Sequence, residues 1–561
     1  MNRPFGLTPD GARTKFFPLI KSFRDCQKEA VDRMWQGESA LVLMPTGMGK
    51  SLIYQLPVFA SGGIGIIISP LIALMQQQAA LLEKAGATVL SLGGADAADA
   101  QRALRDFPWS AGAGFLFVSP ERAETDGYLE YLLRKNREHV ALVAIDEAHC
   151  ISQWGHDFRP PYKNLPGLLD RCFGRDTWPP VLCLSATLDK GSQNEILRDF
   201  RLRGSDVVRS ANMLRTNLDL SFRVYNDGNE KLAALEQLLD EHRGEKIIVY
   251  AHRKRSKSQG TRALSERLRA LGHSCAPFDA DLTMEQKDAT LASFTSGEIQ
   301  VVVATGAFGM GVDIPDVRGV VHFLLPESLE QYYQEVGRAG RDGARAFGVL
   351  LYTAVNSKVR RDMIEDGRRT TEQVKEVWDE VCNAGRAALK TISPWTEFQG
   401  RDDEYALFYA FERIGAIQVL ARGPGRLKCL EPRGSEGAAL LQHLTAATRS
   451  GNLAAAIRQL GLDPKETIER IFDLYHRGEL VLVQSPDKTL VFRTRDITGD
   501  ELEAITQQID SRVDVKADRF EKFVQVIEAG ANPDSVLKAE FGGVESVANP
   551  AGRSGLSATN L

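Results

Sequence analysis

The chain has 561 residues, 43% hydrophobic and 25% charged, with a net charge of −5. That length suits about three or four domains, and that composition a water-soluble globular protein. An acidic balance excludes a generally sticky nucleic-acid binder and leaves a local basic groove as the form such binding could take, while seven scattered cysteines without paired spacing fit a reducing cytosol better than a disulfide framework.

In chain order, residues 1–20 are an N-terminal extension without the basic, apolar, small-residue pattern of a signal peptide. From about Ser22 to Phe200, short apolar runs alternate with helical stretches: ALVLM (40–44), GIGIIIS (63–69), GFLFVS (114–119), ALVAID (141–146) and VLCLSA (181–186). Near-continuous apolar strands between amphipathic helices predict a parallel sheet covered on both faces, in a first α/β domain over 21–211. The longest apolar run, GGIGIIISPLIALM, is broken by Ser69-Pro70 and is too short to span a bilayer, so a cytoplasmic location is expected, nucleoid-associated if bacterial. Residues 212–229 read as a linker. KIIVYA (246–251), IQVVVAT (299–305), VRGVVHFLLP (317–326) and FGVLLYT (347–353) predict a second α/β domain over 230–355. Two such domains in tandem suggest a ligand held between them.

Beyond residue 355 helices dominate. A divergent helical accessory region is expected over 356–433. Over 434–498, two helical stretches around GLDP precede LVLV and LVFRT, joined by QSPDK as a β-hairpin. That is a winged-helix outline, which often binds duplex DNA, and equally the outline of a small protein-interaction module. Residues 499–535 read as helix, and 536–561 as a disordered Gly-, Ser- and Asn-rich tail.

The first chemical signal follows ALVLM. In PTGMGKS, glycines let backbone N–H groups wrap phosphate oxygens, and the helix that opens there adds a favourable dipole. Thr46, Gly47, Met48, Gly49, Lys50 and Ser51 form this loop, with Lys50 on the β- and γ-phosphates and Ser51 on magnesium. The strict pattern wants glycine where Met44 stands. The second signal is Asp146, at the end of ALVAID, where an acid belongs as a further magnesium contact. Glu147 beside it is suited to orient or deprotonate the attacking water.

With these residues the chain resembles the RecQ family of superfamily 2 helicases over roughly residues 20 to 355. The resemblance rests on FRDCQ (23–27), SPLIALMQQQ (69–78), SPER (119–122), DEAH (146–149), SAT (185–187), VYAHRKRS (249–256), ATGAFGMGVDIPDVR (304–318) and QYYQEVGRAGRDG (331–343). It implies two tandem RecA-like domains, after which comes the mostly helical, winged-helix-like region read above. It further implies ATP- and Mg2+-dependent 3′-to-5′ translocation on single-stranded DNA and unwinding of tailed duplexes, in DNA repair, recombination or genome defence. Arg24 and Gln27 would contact adenine, and Gly311, Asp313 and Gln334 would complete the nucleotide site. Arg338 and Arg341, three apart on a predicted helix, would deliver positive charge to the γ-phosphoryl oxygens from the second domain.

DNA contact and coupling would fall to Ser69, Pro70, Ser119, Pro120, Ser185, Thr187 and Thr305, with His252 and Arg253 able to add phosphate contacts. The aromatic-rich loop CISQWGHDFRPPY matches the family through Gln153, Trp154, His156, Phe158 and Arg159. It offers unpaired bases a stacking surface next to the catalytic acids. Two departures stand out. Asp279 and Asp281, in FDADLT, replace a His and a Gly of the family pattern. After Tyr352 the only cysteines are Cys382 and Cys429; without four ligands no structural zinc is expected. The alternatives are a translocase or remodeller without robust unwinding, an RNA helicase, and a regulatory ATPase switch subunit with protein partners on the C-terminal region.

Overall fold

The computed structural model describes residues 7–93, 97–152, 159–211, 213–251, 260–279, 281–308, 314–383, 389–393, 397–398, 401–483 and 489–541. The first domain is built on β1 (Ala40–Leu43), β2 (Ile64–Ile68), β3 (Thr88–Ser91), β4 (Gly114–Val118), β5 (Val140–Ile145), β6 (Val181–Ser185) and β7 (Val207–Arg209). These run parallel in the order β3-β4-β2-β5-β6-β1-β7. β1, β2, β4 and β6 are buried along their whole length, which is why their sequences are continuously apolar. β3 and β7, absent from the sequence reading, are short edge strands only partly buried.

The second sheet holds β8 (Leu218–Val224), β9 (Lys246–Tyr250), β10 (Cys275–Phe278), β11 (Val301–Ala304), β12 (Val317–His322) and β13 (Ala346–Tyr352), in the order β10-β11-β9-β12-β13-β8. Here the expected linker is corrected. Its LDLSFRV stretch pairs with β13 from Leu218↔Ala346 to Val224↔Tyr352. The strand escaped notice because an edge strand buries only part of its surface, and a mixed apolar-polar run resembles a connection. The Asn217 amide fastens it by donating to the carbonyls of Gly340 and Ala344, both at 2.8 Å.

The accessory region contains β14 (Lys390–Ile392), β15 (Ile417–Gly423), β16 (Leu430–Pro432), β17 (Leu480–Leu482) and β18 (Thr489–Thr494). The expected hairpin between LVLV and LVFRT does not form. β17 pairs antiparallel with β16, whereas β18 lies between β14 and β15. The unit expected over 434–498 is therefore completed by strands from 390–432. Its second helix, Pro464–His476, lies against the first-domain helix Gly127–Lys135. The Tyr128 and Phe472 rings are 5.4 Å apart, the Tyr131 hydroxyl donates to Asp473 at 3.2 Å, and Arg134 pairs with Glu469 at 2.6 Å.

A 30-residue helix, Gly499–Glu528, follows, opened by a capping box between Thr498 and Glu501. After it, Pro533–Phe541 is helical, so the expected tail does not begin at 536; Phe541 is buried and stacks on Tyr333 at 5.7 Å. Cys429 is buried, and Cys382 packs against the accessory core. Among the described residues, no helix is long and apolar enough to cross a membrane.

Candidate active site

Strands β5, β6 and β1 are adjacent, so their carboxyl ends carry Asp146, Ser185 and the phosphate loop to one edge of the sheet. Gly47 and Gly49 take φ of 77° and 84°, a left-handed backbone that favours glycine. Gly49 is doubly constrained, since a Cβ there would lie 2.7 Å from the Gln27 amide nitrogen. That amide donates to the carbonyls of Met48 and Gly49, both at 2.9 Å, while the Gln27 side-chain oxygen accepts from the Arg24 N–H at 2.7 Å. Arg24 also reaches the Gly47 carbonyl, at 3.3 Å. FRDCQ thus grips the phosphate loop from behind and sets the loop's shape. Lys50 donates to the Met44 carbonyl at 3.2 Å, and Ser51 opens the helix Ser51–Ser61.

Asp146 continues β5, its N–H donating to Ile68 at 2.8 Å and its carbonyl accepting from the buried Tyr162 hydroxyl at 2.9 Å. Glu147 sits at φ 50°, a left-handed conformation that costs a non-glycine residue and turns the chain sharply at the strand end. The two carboxyls titrate apart. Burial, then the charge of Glu147, pushes Asp146 up, against the pull of Lys50. Burial also works to raise Glu147, but a hydrogen bond from His149, its charge, and those of Lys50 and Arg338 outweigh it and hold Glu147 low. A divalent cation fits this donor set, because a buried carboxylate raised by its neighbour's charge is relieved by a bound cation.

His149, which the sequence reading did not single out, joins Glu147 to the SAT segment. Its Nδ1 lies 3.3 Å from the Glu147 carboxylate and 3.5 Å from the Ser185 hydroxyl. Ser185 donates to the Thr187 carbonyl at 2.8 Å, and the Thr187 hydroxyl donates to Glu330 of the second domain at 3.1 Å. Gln334, expected at the nucleotide, donates to the Thr187 hydroxyl at 3.4 Å. Thr46 of the phosphate loop donates to the Gly337 carbonyl at 3.3 Å, which also accepts from Arg215 at 3.1 Å.

Arg338 and Arg341 do not lie on a helix as expected. The helix Leu329–Val336 ends just before them, and they occupy successive turns punctuated by Gly337, Gly340 (φ 58°) and Gly343 (φ 86°). Arg338 directly follows Gly337, whose carbonyl accepts from Thr46 of the phosphate loop. Behind it Tyr250, at the end of β9, faces Arg338, Glu335 and Arg341. The Tyr250 ring stacks on His322 at 5.4 Å, and His322 meets Glu335 at 2.7 Å.

The other expected residues divide. Ser69 is buried at the end of β2 beside Pro70, and Thr305 follows β11. Ser119 is engaged as a helix N-cap, accepting from the Arg122 N–H at 3.3 Å, with Pro120 in the first turn. Arg159 pairs with Glu121 at 3.6 Å. Asp279 is buried and accepts from Thr261 at 2.7 Å, so this acid, which replaces a family His, holds a helix start. Gln153, Trp154, His156, Phe158, His252, Arg253, Gly311 and Asp313 lie outside the described residues.

Comparison with known proteins agrees with this geometry. The DEAD/DEAH box helicase family matches residues 24–196, and the helicase conserved C-terminal domain matches 230–343. The ATP-dependent DNA helicase RecQ of Pasteurella multocida is 38% identical over 362 residues, covering 63% of this chain and 54% of that protein. The probable ATP-dependent DNA helicase RecS of Bacillus subtilis is 34% identical over 364 residues, covering 64% of this chain and 69% of that protein. The chain thus spans only about half the length of the Pasteurella relative. Among solved structures, the helicase MrfA bound to DNA has a TM-score of 0.50 at 20% identity, over 63% of this chain and 52% of that one, a likeness of fold.

Proposed function

This chain belongs to the RecQ family of superfamily 2 helicases, and from that premise we propose that it is an ATP- and magnesium-dependent DNA helicase moving 3′ to 5′ along single-stranded DNA. The observation that carries the reading is that the second domain closes on the first beside the phosphate loop, where Thr46 donates to the Gly337 carbonyl and Thr187 to Glu330. Hydrolysis then requires both domains, and any ligand that closes them governs turnover. Lys50 binds the β- and γ-phosphates, Glu147 orients or deprotonates the water, and Arg338 with Arg341 offsets charge on the transferring phosphoryl oxygens. Ser51 and Asp146 would hold magnesium, which neutralises phosphate charge when bound. DNA runs across the cleft between the two domains, in a repair, recombination or genome-defence setting.

The test is strand separation on 3′-tailed, 5′-tailed and blunt DNA duplexes and on an RNA duplex. The reading requires ATP-dependent separation of the 3′-tailed DNA. DNA-stimulated hydrolysis with no separation of any substrate supports a translocase, remodeller or switch. One observation favours that second reading: the helix Pro464–His476, which a winged helix would offer to a duplex, buries Phe472 and Tyr475 against Tyr128 of the first domain.

A further inference from the structure

The helix Gly499–Glu528 belongs to two bodies at once. Its first half, through Leu502, Ile505 and Ile509, shares the accessory core with Trp378 and Phe411. That unit is fastened to the first domain by Arg422 and Glu124, both buried and 2.8 Å apart. The second half lies on the second domain, where Phe523 meets the rings of Phe222 and Tyr332, each at 6.0 Å, and Glu521 pairs with Arg361 at 2.6 Å. Its interior has neither proline nor glycine, so nothing in the sequence kinks it over its ~45 Å.

From this helix Arg519 reaches back to the first domain. Arg519 Nη2 lies 2.9 Å from Asp189 Oδ1, with the two side chains 26% and 17% exposed. The same oxygen accepts from the N–H groups of Gly191 at 2.8 Å and Ser192 at 3.1 Å, so Asp189 caps the helix Lys190–Asp199. Asp189 lies two residues after Thr187, whose hydroxyl bonds Glu330 across the cleft. Asp189, Glu330 and Arg519 line one cavity of about 150 Å³, where both motor domains and the C-terminal helix meet.

We propose that Arg519 is a positioning residue for coupling ATP hydrolysis to DNA. It steadies the capped helix start after Ser185-Ala186-Thr187 and keeps Thr187 aligned with Glu330 as the domains close. This deepens the helicase reading and rests on it. An isolated surface pair contributes little to stability. This one is partly buried and in line with a second interdomain hydrogen bond, so its effect falls on coupling rather than on folding.

The test compares Arg519→Ala, Arg519→Lys and Arg519→Glu in the full chain. Readouts are ATP turnover and KM with and without single-stranded DNA, thermal stability, and the distance between dyes on the two motor domains. The distance is read with and without a non-hydrolysable ATP analogue. Arg519→Ala should lower DNA-stimulated kcat about fivefold, leave DNA-free turnover and melting unchanged, and widen the analogue-bound interdomain distance. Arg519→Lys should recover most of the loss, and Arg519→Glu should exceed it. Wild-type stimulation and closure in both the Ala and Glu variants would overturn the proposal. So would an equal loss with and without DNA that lysine does not rescue. If the wild type shows no DNA stimulation, the helicase reading falls and the distance measurement alone decides the role of Arg519.

Discussion

Arg422 and Glu124 form a buried ion pair between β15 and the first domain, Nη2 to Oε1 at 2.8 Å, with the arginine Nε also donating to the Glu124 carbonyl at 2.8 Å. Glu130 and Glu412 stand within 4.0 Å of the same guanidinium. Burial pushes the Glu412 carboxyl up to about 7, with Glu124 adding to the rise and Arg422 opposing it. Arg422→Met should destabilise the chain by about 3–5 kcal/mol, because it strands buried Glu124 rather than because the pair itself is worth that much. Adding Glu124→Leu should restore much of the loss. Denaturant melts of the single and double variants check this; a double variant no better than Arg422→Met would refute it.

Arg338 should be needed for hydrolysis but not for nucleotide binding. Arg338→Ala is expected to lower DNA-stimulated kcat about a thousandfold with ATP-analogue affinity within about threefold. Arg338→Lys should recover little, since an ammonium cannot reproduce the planar fork. Single-turnover hydrolysis and fluorescent-analogue titration separate the two effects, and a variant that binds more weakly but turns over normally would remove Arg338 from the chemistry.

How far the sequence disclosed this arrangement depended on how local each signal is. The phosphate loop is legible because its backbone chemistry demands glycines, Lys50 and Ser51 within one strand-to-helix turn. Asp146 and Glu147 are legible for the same reason. β8 was hidden because an edge strand shows no continuous apolar run. The hairpin went wrong because the partner of β18 is β15, more than sixty residues upstream, so contiguity misled. Arg422 and Glu124 are 298 residues apart and leave no local trace. Arg338 and Arg341 stand out by residue type, but they share no helix, since the helix Leu329–Val336 ends before them.

Lys231 gives a pH dependence. It is 1% exposed, with its ammonium against the Asn356 side-chain oxygen and 4.3 Å over the Phe323 ring. Burial pushes it from 10.5 down to about 7. Between these values the unfolded chain holds a proton that the folded chain has released, so stability rises with pH across that window. Below about 7 both states are charged and the penalty is complete. Lys231→Met should therefore raise the melting temperature by a few degrees, most at pH 6, with the gap to wild type narrowing toward pH 9.5. A gap that widens with pH would show the lysine to be held as a stabilising cation.

His149 touches both Glu147, the proposed partner of the attacking water, and the segment that reaches the second domain. His149→Ala removes a hydrogen bond from Glu147 and frees Ser185 from the 3.5 Å contact, while Thr46, Lys50 and the Asp146 backbone keep their partners. Nucleotide binding should therefore persist. DNA-stimulated hydrolysis should fall about ten- to a hundredfold, more than DNA-free hydrolysis, since the broken contacts lie on the path from Glu330 to Glu147. Steady-state turnover with and without single-stranded DNA measures the difference. If both rates fall by the same factor, His149 serves only to orient Glu147, and the route through Ser185 and Thr187 carries no coupling.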